Sequence, residues 1–463
     1  MRTARPVGER GEGEVTMGRS CRRRGILSRL AAVGCALVAV GTVTAAAGPQ
    51  APRTAPGIRT PSVSEVQALL ARRATAVLHH DRAGWLATVD TDPAAAAAGQ
   101  AAEYDRIAAL PVTRWQYRLA GAVPPTAGAT TSGATATGAT VAVPATLIYR
   151  LAGDTRDVVR TRIVTVRTMT VRTMTVHPGT AAGWRVVSET AAVDTDRDLW
   201  DLAPVSVARA ARGVAVSLGA APSEAAALAA RINTAAASVD ALWGPSWPRS
   251  VVTVLPGDAG LFQAALERPA GAAPALFAAV TTGRLDRGRS GPHAIAAAAD
   301  RVVLNPDLWA RLTDTGRQAV LVHELTHVAT RATTSATPPT WLEEGFAAWV
   351  GYRDAGLSGP AVAADALAAV RAGGLPAALP ADGDFDPAHG DAGPAYAQAW
   401  VACDLIAGRV GPRGLAALYR AAASDGGGPA RADAALRQVL GEGTATFTEQ
   451  WRARLRSLAG AGE

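Results

Sequence analysis

The stretch HELTHVATRATTSATPPTWLEEGFAAWV, His323 to Val350, constrains this chain more than any other part of it. Its spacing predicts a helix, a short proline-bearing connection and a second helix. His323 and His327 are four residues apart, so on a helix they stand one turn apart on one face. Both imidazoles can then reach a single cation. Glu324 follows the first histidine, close enough to address a water on that cation. Zinc suits two neutral imidazole nitrogens and one carboxylate, with a fourth position left for water.

The same stretch supplies a third donor. Thr315-x-x-Gln318 predicts a capping box opening the first helix, whose apolar face carries Ala319, Val320, Leu321, Leu325, Val328 and Ala329. After Pro338 and Pro339 the second helix begins, and Thr340-x-x-Glu343 predicts another capping box. Glu343 then bonds back to its cap, whereas Glu344 points about 100° away around the helix and is free to ligate. The expected metal donors are His323, His327 and Glu344. Trp341 and Trp349 flank the glutamate as packing residues.

HELTH followed by WLEEGFAAWV resembles the gluzincin zinc peptidases, in particular the catalytic domain of the aminopeptidase N and leukotriene A4 hydrolase family. There HExxH is followed on the next helix by WLNEGFA. The resemblance implies zinc on His323, His327 and Glu344, and hydrolysis of peptide bonds with Glu324 as general base. This chain leaves 16 residues between the second histidine and Glu344, two fewer than that family usually does. GPAYAQAWVACDLIAGRVG, Gly393 to Gly411, is similar to the family's PYEKG segment, and the likeness assigns the oxyanion-stabilising tyrosine to Tyr396. Its phenol can donate a hydrogen bond to developing negative charge. ALRQVLGEGTATFTEQWRARL resembles the ends of peptidase MA-like domains. The GxMEN segment with which aminopeptidases hold a free amino terminus has no counterpart upstream of HELTH. Asn305, closing RVVLN, is instead expected to end an edge strand that aligns a peptide backbone. Spacing identifies no acidic partner for the histidines.

Residues 1–30 carry eight arginines against three glutamates, which accounts for +5 of the net +7. No basic patch with interleaved aromatics follows, so nucleic acid is not an expected partner. Arg22, Arg23, Arg24 and Arg29 precede the apolar run Leu30–Ala47, which reads as a secretory signal peptide, with an uncleaved anchor spanning residues 26–47 as the second reading. Either places the protein outside the cytoplasm, secreted or membrane-tethered. Cys21 and Cys35 lie in this segment and leave Cys403 alone in the body, which excludes a disulfide or a cysteine zinc site there.

The expected organisation is a signal or anchor (1–47), a proline-rich linker (48–61), an α+β domain (62–203) and a catalytic domain (204–463). Helical spacing covers Ser64–Val89, and strand alternation covers Thr113–Leu119, Ala142–Leu151, Arg160–Val176 and Trp184–Thr190. VRTMTVRTMTV, from Val166, is a short tandem duplication within a strand, and GATTSGATATGAT, from Gly128, reads as a loop. Helix followed by antiparallel strands resembles the cone-shaped NTF2-like fold. Beyond residue 203 come strands at Val205–Leu218 and Ser250–Leu255, helices at Glu224–Leu242 and from Gly260, and the edge strand Ala299–Asn305. The remainder is helical with a break at 372–394. The fold class is therefore α+β, with a thermolysin-like, gluzincin arrangement of small mixed sheet and helical C-terminal half implied for the second domain.

His79, His80, His177, His293 and His389 gather no companions, although His389 stands seven residues before Tyr396. No GxSxG elbow occurs, and the chain has no lysine with which to build a P-loop. The reading is an exported zinc metallopeptidase acting on a peptide or protein substrate. The alternative is an exported binding or scaffold protein with a degenerate peptidase-like domain. The intact Glu324 speaks against decay, and a purely structural zinc site normally has four protein ligands where three are visible.

Overall fold

Ser62 caps the first helix. Its hydroxyl accepts from the Glu65 N–H at 3.2 Å while the Glu65 carboxylate accepts the Ser62 N–H at 2.9 Å. The computed structural model describes residues 60–92, 94–119, 140–154, 156–168, 183–193, 197–247, 251–268, 278–281, 301–424 and 426–460. The signal or anchor segment, residues 48–59 of the linker, the loop up to residue 139, the end of the tandem duplication, His177 and His293 lie outside the described residues.

Helix α1 (Val63–Leu78) buries Val66, Leu69, Leu70 and Val77 at helical spacing. The single helix expected to run to Val89 ends there, because Asp81 caps a new one, α2 (Arg82–Leu86), by accepting the Gly84 N–H at 2.8 Å. An alanine-rich helix, α3 (Ala94–Ala109), follows without having been expected. Four antiparallel strands come next in sequence order: β1 (Val112–Leu119), β2 (Thr140–Leu151), β3 (Val158–Thr168) and β4 (Trp184–Ala191). Strand alternation turns Trp115, Tyr117, Leu147, Tyr149, Val164 and Val186 inward.

The expected boundary at 203/204 falls between α4 (Leu199–Leu202) and β5 (Val205–Ala210), where the chain enters a second sheet. Val205–Leu218 is a hairpin rather than one strand, since β5 turns at Ala211 and Arg212 into β6 (Gly213–Leu218). Helix α5 (Pro222–Trp243) crosses over to β7 (Val251–Pro256), parallel to β6. Then come α6 (Ala259–Ala265), β8 (Ala279–Thr281) and β9 (Val302–Leu304). The sheet order is β5-β6-β7-β9-β8. RVVLN therefore forms an inner strand, and the edge beside it is β8. Three residues are too few for alternation to announce a strand in sequence.

The rest is helical: α7 (Pro306–Arg311), α8 (Asp314–Thr333), α9 (Thr340–Arg353), α10 (Gly359–Val362), α11 (Ala364–Arg371), α12 (Gly393–Ala422), α13 (Gly428–Leu440) and α14 (Thr444–Gly460). Two short 3-10 turns, Asp382–Phe385 and Pro387–His389, fill the break before α12. Gly411 (φ 73°) and Pro412 kink α12 within its length.

The second sheet is sandwiched. Ala215, Val251, Leu255, Ala279, Val302 and Leu304 pack into one core with α5, α8, α9 and α12. Their neighbours Val214, Val216, Leu218, Val252, Val254, Val280 and Val303 pack into the other, with Trp115, Tyr149 and Trp200. Polar links cross the same face: Arg301, just before β9, makes a two-pronged bond to Asp154 at 2.8 and 2.9 Å, and Arg160 on β3 contacts Glu267, just after α6. The described residues accordingly fall in one compact unit, Ile58–Glu463. Among them no helix is long and apolar enough to cross a membrane.

Candidate metal centre

The helix bearing the two histidines starts two residues earlier than its sequence suggests. Thr313 is the cap of α8, accepting the Gly316 N–H at 3.1 Å, while Gln318 reaches away to the Arg231 carbonyl at 3.4 Å. From there α8 buries Leu321, Val322, Leu325 and Val328 and turns His323 and His327 toward α9. Helix α9 approaches through two glycines. A Cβ at Gly351 would sit 2.7 Å from the Ala319 carbonyl oxygen on α8, and one at Gly345 only 2.3 Å from the Ala399 carbonyl oxygen on α12. Small residues at both contacts let three helices close around the site.

His323, His327 and Glu344 converge at that closure. The two Nε2 atoms are 3.0 Å apart, and the Glu344 Oε2 lies 3.3 Å from the His323 Nε2 and 3.4 Å from the His327 Nε2. Glu344 is fully buried and His327 nearly so, at 0% and 1% exposed, while the His323 side chain keeps 17% of its surface toward the cavity. A tetrahedral zinc with donors at 2.0–2.1 Å separates them by about 3.3 Å. The donor set and its spacing therefore fit zinc. Burial holds the His327 imidazole below the ordinary histidine pKa, against the opposing pull of the Glu344 carboxylate. The neutral ring that results is the form that ligates a metal.

Glu343 does something other than cap its helix. The N-cap of α9 is Pro339, which has no side-chain acceptor, and the Thr340 N–H goes to the Asp382 carboxylate at 3.0 Å. Relieved of that role, Glu343 is buried, with its Oε1 3.7 Å from the His327 Nδ1. Glu343 is thus an acidic neighbour of His327 that spacing does not reveal. The sequence signal was the adjacent glutamate pair itself, since two buried carboxylates in succession demand two cationic or metal-bound partners.

A cavity of about 440 Å³ opens over the cluster, and His323, Glu324, Tyr352, Tyr396, Asp365 and Asp391 all line it. Glu324 is buried, and its Oε2 accepts a 2.6 Å hydrogen bond from the Thr281 hydroxyl on β8. Nothing in the sequence ties Thr281 to HELTH, more than forty residues away. Tyr396, in the first turn of α12, packs edge-on against Phe385 at 5.1 Å and faces the same cavity. The edge strand contributes Ala279 to the wall, with Ala278 just before it.

The remaining sequence candidates fall elsewhere. Asn305 caps α7, accepting the Asp307 N–H at 3.2 Å. His389 is exposed, its Nδ1 3.3 Å from the Gly383 carbonyl oxygen. Cys403 is buried beneath Gly345, and that burial pushes its thiol well above the usual range, so it offers no thiolate. Compared with protein-family models, with curated proteins and with solved structures, the chain matches none.

Proposed function

We propose that this chain is an exported zinc metallopeptidase of the gluzincin type. One observation carries the reading: three donors of zinc-ligating chemistry converge at tetrahedral spacing, and one of them, His323, lines the cavity that Glu324 also lines. His323, His327 and Glu344 would hold the metal. Zinc, when bound, supplies a Lewis acid for the scissile carbonyl and brings the pKa of its water toward neutrality. Glu324 takes the proton from the attacking water and delivers it to the leaving amine. Tyr396 donates a hydrogen bond to the oxygen that gains negative charge. Glu343, its Oε1 3.7 Å from the His327 Nδ1, would steady the ring whose Nε2 faces the site. β8, the outer strand of its sheet among the described residues, offers the backbone partners with which an extended peptide pairs along the cavity wall.

In this reading residues 204–463 form the gluzincin-type catalytic domain and residues 62–203 an NTF2-like one. The leader before residue 48 directs export and is cleaved or retained as a tether. The test is a peptide library offered to the zinc-loaded chain and to its Glu324→Gln variant. The reading expects cleavage by the wild type and a loss of about 10²–10⁴-fold in the variant, with equal zinc content. Full activity in Glu324→Gln would sink the mechanism. Zinc without cleavage of any peptide would favour the binding or scaffold reading.

A further inference from the structure

Strand β8 is three residues long, yet each residue has a distinct destination. Ala279 packs with the helices, Val280 packs with the opposite core, and Thr281 returns to the helical side. Thr281 is completely buried, and its hydroxyl finds the Glu324 Oε2 at 2.6 Å. That distance is typical of a hydroxyl donating to a charged carboxylate, which is among the stronger hydrogen bonds a protein makes. The same short strand forms part of the cavity wall through Ala279. It therefore links the surface a substrate touches to the side chain that handles the proton.

We infer that Thr281 is a positioning residue for the general base, an inference that rests on the peptidase reading above. With Oε2 held by the hydroxyl, Oε1 is the oxygen left to take the proton, and the carboxylate cannot swing away from the water it must address. Positioning of this kind acts on turnover after binding, because the productive geometry is needed in the transition state. Thr281 acts through the Glu324 carboxylate it bonds.

The experiment compares wild type, Thr281→Val, Thr281→Ala and Thr281→Ser on a peptide the wild type cleaves, with zinc content and melting temperature measured alongside. Thr281→Val removes the hydroxyl and keeps the shape; Thr281→Ala makes the same deletion without the added methyl, should valine disturb the packing. The expected result is one zinc per chain in every variant, with kcat lowered by about 10–100-fold in the valine and alanine variants and KM unchanged. Thr281→Ser, which restores the donor, returns kcat to within about threefold of wild type. Wild-type kcat in folded Thr281→Val or Thr281→Ala overturns the inference while leaving the peptidase reading intact. So does a serine variant no better than alanine. A zinc-loaded wild type that cleaves nothing overturns both.

Discussion

Glu343 and Glu344 are neighbours in the chain, both are buried, and they face different atoms of the same histidine: Glu343 the Nδ1 of His327, Glu344 its Nε2. Their removal should therefore fail in different ways. Glu344→Ala deletes a donor and should leave zinc bound so weakly that dialysis strips it. Glu343→Gln leaves all three donors in place and should lower zinc affinity by about 10–100-fold, the usual scale for a group that orients a ligand. Calorimetric zinc titration separates the two, and equal affinities would reverse the assignment. The helical offset of Glu344 from a capping residue was legible in sequence, as were His323, Glu324 and His327. The capping box itself was not real, because Pro339 and Asp382 terminate the helix instead. Glu344 does come to the two histidines, though not because Glu343 caps the helix, and Glu343 lies instead near the His327 Nδ1.

At the scale of elements, the site depends on how closely α9 sits against α8 and α12. Gly345 adjoins Glu344, and its missing side chain is the space occupied by the Ala399 carbonyl and the Cys403 sulfur, 2.3 and 2.9 Å from where a Cβ would stand. Gly345→Ala gains about 1 kcal/mol of helix preference. Overpacking against a backbone carbonyl costs about 1–3 kcal/mol and outweighs it, because a helix rather than a flexible tip must move. The variant should unfold at lower temperature and lose zinc affinity together, since the displacement carries Glu344 with it. Unchanged melting and affinity would show that the helices have room to spare. Long helices and strands such as α5 and β2 were legible because their periodicity runs for many residues. Strand β8 and the α1–α2 break were not: one is too short for a pattern, and the other turns on a single capping aspartate.

At the scale of the molecule, the second sheet belongs to both halves. Val214, Val216, Leu218, Val252, Val254, Val280 and Val303 would be uncovered if residues before 204 were removed. At roughly 1.5–3 kcal/mol for each such side chain, the loss is on the order of 10 kcal/mol, comparable with the whole stability of a domain. Residues 204–463 alone should therefore be insoluble or protease-sensitive; a cooperative unfolding transition matching that of 58–463 would contradict this. The break in pattern around Arg197–Pro204 was legible in the sequence, but not that β6 and β7 are buried on both faces. That dependence appears only when the strands are placed between two layers.

The N-terminal half also sets a pH dependence. Burial, reinforced by the Glu189 carboxylate, pushes Glu103 up to about 8, with Arg73 and Arg162 opposing the shift. The folded protein thus holds a proton that the unfolded chain releases above an ordinary carboxylate pKa of 4.5. Stability from this group is full below that value and is lost as pH rises toward about 8. Melting temperature should fall across that window, and Glu103→Gln should flatten the fall. An identical slope in the variant would assign it to other groups.

The central claim is a zinc site with three protein donors and one exchangeable position. Zinc-edge X-ray absorption on the loaded chain, before and after addition of a small thiol, tests it most directly. The account predicts a nitrogen and oxygen shell with no sulfur at first, because Cys403 is buried in the helix contact, and then one sulfur at about 2.3 Å once the thiol enters. A shell that ignores the thiol, or a chain that binds no stoichiometric zinc, would contradict it.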